Sequence, residues 1–181
     1  MARHVPGSRR LSQRISEGDG IAIIARVGDV DSARAAEADG AKAVAVDRLV
    51  AGIRESTSLP VLWLGGGAPI DADAVTLRPG DDATDGLEAV LDVRDEDELE
   101  AALEEHDPEI FLLSPRADDD DDPLESVLEL LPDVPAGKLA IADVDVATRD
   151  EVVALERAGF DAVLATVGAV GRLVGAAPPD V

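Results

Sequence analysis

One unit occurs twice in this chain and constrains its fold more than any other feature. Residues 31–46 read DSARAAEADGAKAVAV, and residues 150–165 read DEVVALERAGFDAVLA. Each copy predicts an amphipathic helix that ends at a glycine, Gly40 or Gly159, and continues into an Ala-Val strand. A glycine just past a helix adopts the left-handed conformation without strain, and a helix that leads directly into an apolar strand is the returning half of a β-α-β crossover. The chain is therefore expected to consist of repeated β-α units.

Eight apolar segments have the length and composition of buried strands. They are 21–27, 42–46, 60–64, 73–77, 88–93, 109–113, 138–144 and 161–165. Helical patterns are found at 9–17, 31–39, 47–57, 95–105, 123–131, 148–158 and 168–174. Strands that alternate with helices favour a parallel sheet, and eight of them predict an α/β fold of the (β/α)8 barrel type.

The chain is short for such a barrel, and the shortage can be located. Its 181 residues fall below the usual lower limit of about 200. Residues 65–72 are too few for a helical crossover of about 10–12 residues, and 78–87 are polar and contain glycine. We therefore expect a minimal barrel that lacks helices 3 and 4, as one domain over 1–181 with 1–18 as an N-terminal arm and short helix. The alternative is an open doubly wound sheet in which 60–77 forms a hairpin.

Charge and composition exclude several classes of function. The net charge of −23, from 39 acidic and 16 basic residues, argues against nucleic acid as a partner, because phosphate backbones need a basic surface. The chain has no cysteine, hence no disulfide or thiol chemistry. No apolar run approaches a membrane span, and the N-terminus lacks the apolar stretch of a signal peptide, which predicts a cytoplasmic protein with no membrane partner. The acidic surface fits either a high-salt cytoplasm or a specific protein partner; the oligomeric state stays open.

No cofactor or metal is predicted. The acidic run Asp118–Asp122 lacks the glycine and the distal glutamate of a calcium loop, so a solvated loop is expected there. The two histidines, His4 and His106, lie away from the predicted strand ends, which argues against a serine-histidine pair or a histidine metal site.

The carboxyl ends of barrel strands carry the active site in this fold. The residues at these ends are mainly arginines and aspartates. The candidate ligand-binding set is Arg26, Arg78, Arg94, Ser114, Arg116, Thr166 and Gly168, and the candidate catalytic pair is Asp92 and Asp143. The arginines either form a cradle for a phosphate or carboxylate, or pair with the neighbouring aspartates in a charge network.

Several segments resemble the indole-3-glycerol-phosphate synthase family of ribulose-phosphate-binding barrels. They are LSQRISEGDGIAIIARV, AAEADGAKAVAV, LPVLWL, AVLDVRDEDELEAAL and LAIADVDVATRDEVVALERAGFDAVLA. The resemblance implies a lyase of tryptophan biosynthesis that uses two lysines as general acids and acidic residues in the barrel mouth. Placed on the family pattern, the lysine positions hold Ala25 and Leu64, whereas Asp92 and Asp143 fall on acidic positions. Thr166 falls on a phosphate-binding glycine, and Asp145 lies where a backbone would approach phosphate.

An alkyl side chain cannot donate a proton, so the resemblance points to a shortened and catalytically degenerate member of the family, a pseudoenzyme. Three functions remain open. The first is a diverged barrel without the lyase reaction that binds a small anion. The second is an active carbon-carbon lyase or isomerase of phosphorylated sugar derivatives that uses Asp92 and Asp143, and the third is a protein-binding module.

Overall fold

Eight parallel strands close into a barrel in the computed structural model, which describes residues 10–66, 71–116 and 122–175. The strands are β1 (Ala22–Arg26), β2 (Ala43–Val46), β3 (Val61–Trp63), β4 (Ala74–Leu77), β5 (Glu88–Val93), β6 (Ile110–Leu113), β7 (Leu139–Ala142) and β8 (Ala162–Thr166). Each pairs with the next, and β1 also pairs with β8, from Ala22 opposite Ala162 to Arg26 opposite Thr166. The predicted α/β barrel is confirmed, and all eight strands lie within two residues of their predicted bounds.

Seven helices accompany the strands in the described residues. They are α1 (Leu11–Ser16), α2 (Val30–Ala38), α3 (Ile53–Ser56), α4 (Glu96–Glu105), α5 (Pro123–Leu130), α6 (Arg149–Ala158) and α7 (Val170–Leu173), with short 3-10 turns at Leu131–Asp133 and Val167–Ala169. Gly40 and Gly159 have φ of 98° and 114°, as the repeated unit predicts. The helix expected over 47–57 is wrong in its first half. Gly52 has φ of 77°, a left-handed conformation that interrupts a helix, so α3 begins only at Ile53.

The barrel wall is buried on both faces, which explains its continuous aliphatic strands. One set of side chains fills the barrel, and the other packs outward against the helices. The interior set includes Ala22, Ile24, Ala43, Ala45, Leu62, Ala74, Val90, Ile110, Leu112, Ile141, Ala162 and Leu164. Because side chains alternate along a strand, this assignment fixes which of the following residues turn toward the barrel axis at the carboxyl end.

Helix α1 closes the amino end of the barrel. Leu11 and Ile15 are buried and complete the interior set. The Glu88 carboxylate, at the start of β5, accepts the backbone N–H of Leu11 at 2.5 Å and also contacts the Ser12 hydroxyl. These contacts supply an acceptor for the first N–H groups of the helix. Helix α1 thus fills the amino end of the barrel, and the carboxyl end remains open for a site.

As expected, no helix follows β3 or β4 in the described residues. Residues 64–66 and 71–73, which flank β3 and β4, contain no helix, and neither does the segment 78–87. Gly65 and Gly66 follow β3 after Leu64, and Gly67 lies outside the described residues. β3 and β4 pair in parallel, with Leu62 opposite Ala74, so the alternative of a hairpin over 60–77 is wrong.

The outer face of this part of the wall is nevertheless covered. Val61 and Val75 are 0% and 2% exposed, and Trp63 and Leu87 pack against the same outer cluster. At the base of β4, the Asp73 carboxylate accepts the backbone N–H of Val61 at 2.9 Å. Across residues 10–66, 71–116 and 122–175, no helix is long and apolar enough to cross a membrane.

Candidate functional site

A cleft of about 750 Å³ opens at the carboxyl end of the barrel, over β5 to β8 and β1. Its lining comes from the ends of these strands and from the loops that lead into α5 and α6. The lining residues are Arg26, Asp92, Arg94, Ser114, Pro115, Asp122, Pro123, Leu124, Asp143, Val144, Asp145, Val146, Glu151, Leu164 and Thr166. Six of the nine residues that the sequence singled out as catalytic or ligand-binding are among them.

Four of these six form one chain of polar contacts. The Ser114 hydroxyl donates to Asp92 Oδ1 at 2.6 Å and lies 3.3 Å from Asp143 Oδ2. Asp143 Oδ1 in turn receives a hydrogen bond from the Arg26 guanidinium. Ser114 is only 7% exposed, so the middle of the chain is shielded from solvent. A hydroxyl has one hydrogen, and Ser114 can therefore donate to only one of the two carboxylates at a time.

The alternation of side chains along the strands explains why these residues meet. Arg26 continues the interior row of β1, Asp92 that of β5, Ser114 that of β6 and Asp143 that of β7. Strand β7 is shorter than predicted and ends at Ala142, so Asp143 lies just beyond the last strand residue. Its backbone N–H still donates to the Leu113 carbonyl, at 2.9 Å, which fixes it beside Ser114.

The arginines of the predicted cradle are divided among different surroundings. Arg94 is half-buried and lines the main cleft, and its guanidinium forms no hydrogen bond or ion pair with a described residue. Arg116 contacts Asp95 Oδ2 at 2.6 Å and lines a second cavity of about 320 Å³, between α4 and α5, which Arg94 also lines. Arg78 is exposed after β4 and does not line either cavity. The structure thus brings Arg26 and Arg94 to one cleft and leaves Arg78 and Arg116 outside it.

The two predicted residues after β7 and β8 also differ in position. Thr166, the last residue of β8, lines the main cleft. Gly168 lies in the turn Val167–Ala169, is exposed, and has no atom within 4 Å of the place where a Cβ would be. Gly168 is not among the lining residues of the main cleft.

The main cleft is acidic overall. Five carboxylates line it, from Asp92, Asp122, Asp143, Asp145 and Glu151, against two guanidinium groups. Glu151 accepts the backbone N–H groups of Ala147 and Thr148, which lower its pKa, in a capping box at the start of α6. Asp122 is the N-cap residue of α5 and accepts the backbone N–H of Leu124 at 3.0 Å. Asp92, Asp143 and Asp145 are the acids that remain for a ligand or for proton transfer.

A smaller cavity was missed by reasoning from the sequence. It has a volume of about 210 Å³ and lies over the ends of β1, β2 and β3, lined by Arg26, Val27, Gly28, Ala45, Asp47, Arg48 and Leu64. Arg48 follows β2 in the sequence but was not assigned to the binding set. The sequence signal for this cavity is a glycine two residues after β1, Gly28, and an arginine two residues after β2, Arg48. This pattern is weak by itself, and only the structure shows that the two residues lie against each other.

The structure corrects the placement of β1 on the lyase pattern. Ala25 and Ile23 belong to the outer cluster, whereas Arg26 continues the interior row. A lysine at position 25 would therefore point toward the helices and not into the mouth. The interior position nearest to it holds Arg26, a cation that cannot act as a general acid because it does not lose its proton in proteins. Leu64 does pack against the interior cluster, so an apolar side chain occupies that part of the mouth.

The described residues contain no group of three or more His, Cys, Asp or Glu that could hold a metal ion. Of the acidic run at 118–122, the first four residues lie outside the described part of the chain, so the expectation of a solvated loop there stays a prediction.

Comparison with known proteins identifies the fold and not the family. No family model and no curated protein matches the chain. Among solved structures, the chain is similar to (S)-3-O-geranylgeranylglyceryl phosphate synthase from Thermoplasma acidophilum, crystallised in complex with its substrate sn-glycerol-1-phosphate. The TM-score is 0.60 at 14% identity, over 86% of this chain and 92% of the synthase. This likeness supports the TIM-barrel fold, but the expected membership in the indole-3-glycerol-phosphate synthase family is not supported.

Proposed function

We propose that this protein binds a small phosphorylated polyhydroxy compound at the carboxyl end of the barrel and does not carry out the indole-3-glycerol-phosphate synthase reaction. The observation that carries the proposal is the main cleft itself. Carboxylates, which accept hydrogen bonds from hydroxyl groups, and guanidinium groups, which bind anions, line one open space there of about 750 Å³. That volume lies within the range of about 300–1,000 Å³ that is typical of small-molecule sites.

The two kinds of polar group in the cleft suit two parts of such a ligand. Arg26 uses one Nη on Asp143 and retains further N–H donors for an anion, since a guanidinium has five. Arg94 has its guanidinium available. Asp92 and Asp143 accept hydrogen bonds, so they favour hydroxyl groups over a second anion. The similar synthase from Thermoplasma acidophilum holds sn-glycerol-1-phosphate, a ligand of this chemical class, which supports the proposal by analogy.

The positions of the lysines argue against the lyase reaction. The chain has two lysines, Lys42 and Lys138. Each directly precedes the first residue of a strand, β2 or β7, and so lies at the amino end of the barrel. Lys138 is also paired with Asp107 at 2.6 Å. General-acid catalysis requires a proton donor within hydrogen-bond reach of the substrate, and neither lysine is at the end where the cleft opens.

Titration calorimetry tests the binding proposal. The ligands are ribose 5-phosphate and sn-glycerol 1-phosphate, with ribose and glycerol as uncharged controls. We expect the phosphorylated compounds to bind and the neutral ones not to bind. Arg26→Ala and Arg94→Ala should each weaken ribose 5-phosphate binding at least tenfold. Arg34→Ala is the matched control, because Arg34 is an exposed arginine on α2 that is paired with Asp31. Failure of both phosphorylated compounds to bind at millimolar concentration would overturn the proposal.

A second candidate function is proton transfer on the bound compound, as in an isomerase. The contact of one hydroxyl with both Asp92 and Asp143 favours it, because it links two potential acid-base groups through Ser114. Incubation of the protein with ribose 5-phosphate in deuterium oxide tests it by NMR. Deuterium incorporation that depends on Asp92, and is lost in Asp92→Asn, would support this function. If no deuterium is incorporated over a day, proton transfer is rejected and binding remains as the proposed function.

A further inference from the structure

The small cavity over β1, β2 and β3 differs from the main cleft in its charge. Two guanidinium groups, Arg26 and Arg48, line it against one carboxylate, Asp47. In the main cleft and in the cavity between α4 and α5, acidic groups outnumber basic ones, and in a further cavity lined by Lys138 and Asp161 the two are equal. In a chain of net charge −23, a cavity of this sign is where an anion gains most from local charge.

Gly28 and Arg48 lie directly against each other in this cavity. A Cβ at Gly28 would lie 2.7 Å from Arg48 Nη2, closer than real Cβ atoms approach other groups. The backbone of Gly28 is not in the left-handed region, so a side chain there would act on the position of the Arg48 guanidinium and not through backbone strain. The guanidinium therefore lies directly against the β1 end of the mouth, and any side chain at position 28 would displace it.

The donors of Arg48 are available to a ligand. Arg48 forms no hydrogen bond or ion pair with the described residues. The positive charge of Arg48 helps to lower the pKa of Asp29. The Asp29 carboxylate itself accepts the backbone N–H of Ser32 at 2.7 Å as the cap of α2. That hydrogen bond is the largest cause of the lowered Asp29 pKa, and Arg48 contributes less. The Asp29 carboxylate is thus engaged in the cap of α2.

The cavity has the size and the position for one end of a ligand. At about 30 Å³ per water molecule, its 210 Å³ holds a phosphate group and a few waters. Arg26 lines both this cavity and the main cleft, so the two spaces meet at its side chain. We propose that the small cavity is a phosphate subsite formed by Arg48 and Arg26, and that the hydroxyl-bearing part of the same ligand extends into the main cleft. This inference rests on the proposed function and adds to it where the phosphate lies.

The test uses inorganic phosphate as the probe, with the full-length protein and calorimetry. Arg48→Ala should weaken phosphate binding at least tenfold, and Gly28→Ala, which shifts the guanidinium without removing it, should weaken binding by a smaller factor. The controls are Arg34→Ala, which removes the same charge from α2, and Gly66→Ala, where a Cβ meets nothing within 4 Å. Both controls should bind within twofold of the unchanged protein. Thermal melts of every variant establish that it is folded.

A double substitution separates a binding role from a structural one. Because Gly28 acts through Arg48, Gly28→Ala in the Arg48→Ala background should cause no further loss of phosphate affinity, whereas independent effects would multiply. Arg94 lines the main cleft and not the small cavity, so Arg94→Ala should weaken inorganic phosphate binding less than Arg48→Ala does. If Arg94→Ala abolishes phosphate binding while Arg48→Ala and Gly28→Ala do not, the subsite is wrong and the proposed function stands. If the unchanged protein binds neither phosphate nor ribose 5-phosphate, the proposed function itself fails.

Discussion

The seam between β3 and β4, where no crossover helix is found in the described residues, depends on one buried aspartate. Asp73 precedes β4, and its carboxylate accepts the Val61 N–H at 2.9 Å and faces Arg54 at 2.7 Å. Asp161 occupies the equivalent place before β8, where it accepts the Ala140 N–H at 2.9 Å and has no ion pair with a described residue. The two positions thus offer the same hydrogen bond with and without an arginine. We compare Asp73→Ala with Asp161→Ala.

The contacts give the expected magnitudes. A buried backbone N–H that loses its acceptor costs about 1–3 kcal/mol, so Asp161→Ala should lose about 1–2 kcal/mol of unfolding free energy. Removal of one partner of a buried ion pair costs about 3–5 kcal/mol. The Asp73 side chain is 4% exposed but that of Arg54 is 26% exposed, which favours the lower end. Asp73→Ala should therefore cost about 3–4 kcal/mol, and Asp73→Asn, which keeps an oxygen acceptor, about 2 kcal/mol.

Urea unfolding followed by circular dichroism measures the difference. With a slope of about 2 kcal/mol per molar urea, the midpoint of Asp73→Ala should fall about 1 M below that of Asp161→Ala. The slope itself should not change, since both variants keep the fold. Equal midpoints within 0.2 M, taking roughly 10% as the error of such measurements, would refute the argument that Arg54 and Asp73 hold this seam.

Three further outcomes are expected. The melting temperature should rise from low to 1 M sodium chloride, because self-repulsion at −23 opposes folding and the screening length falls to about 3 Å; an unchanged or lower value would count against this. The purified protein should not form indoleglycerol phosphate from its carboxyphenylamino-deoxyribulose phosphate precursor, and turnover near a typical 10 s⁻¹ would contradict the argument from the lysine positions. Backbone N–H groups lower the pKa of Asp29, Asp95 and Glu151. Stability from these acids should be present above about pH 4 and be lost as the pH falls through their lowered values, which urea midpoints between pH 6 and pH 2 would reveal; Asp95→Asn should reduce that loss.

Much of the fold could be predicted because local patterns and tertiary structure agree. A strand buried on both faces reads as an unbroken aliphatic run, and glycines mark the ends of helices, as at Gly159. The one large error in a helix was over 47–57, where the conformation depends on the surrounding structure and not on the local sequence pattern. The sequence does not reveal that Gly52 adopts a left-handed conformation and that the chain after β2 forms part of the mouth instead.

The site was predictable in part. The sequence shows which polar residues follow each strand, and this was enough to place Arg26, Asp92, Ser114 and Asp143 together. It does not show which face of a short strand turns inward, so Ala25 was taken for a mouth residue although it packs outward. Nor does it show which arginine has a partner nearby. Arg116 is paired with Asp95, whereas Arg48 has no ion pair with a described residue and lies against Gly28.

The location of the main cleft follows from where the crossover helices survive. Where a helix follows a strand, the cap of the helix holds the connecting loop over the mouth. Asp95 caps α4, and Thr148 forms the capping box of α6. The main cleft takes no lining residue from the segment between Arg26 and Asp92. The end of β4 leads into a segment without a helix, so nothing there draws Arg78 toward the axis. In the described residues, the main cleft thus lies over β5 to β8 and β1, and the small cavity beside Arg48 adjoins it at Arg26.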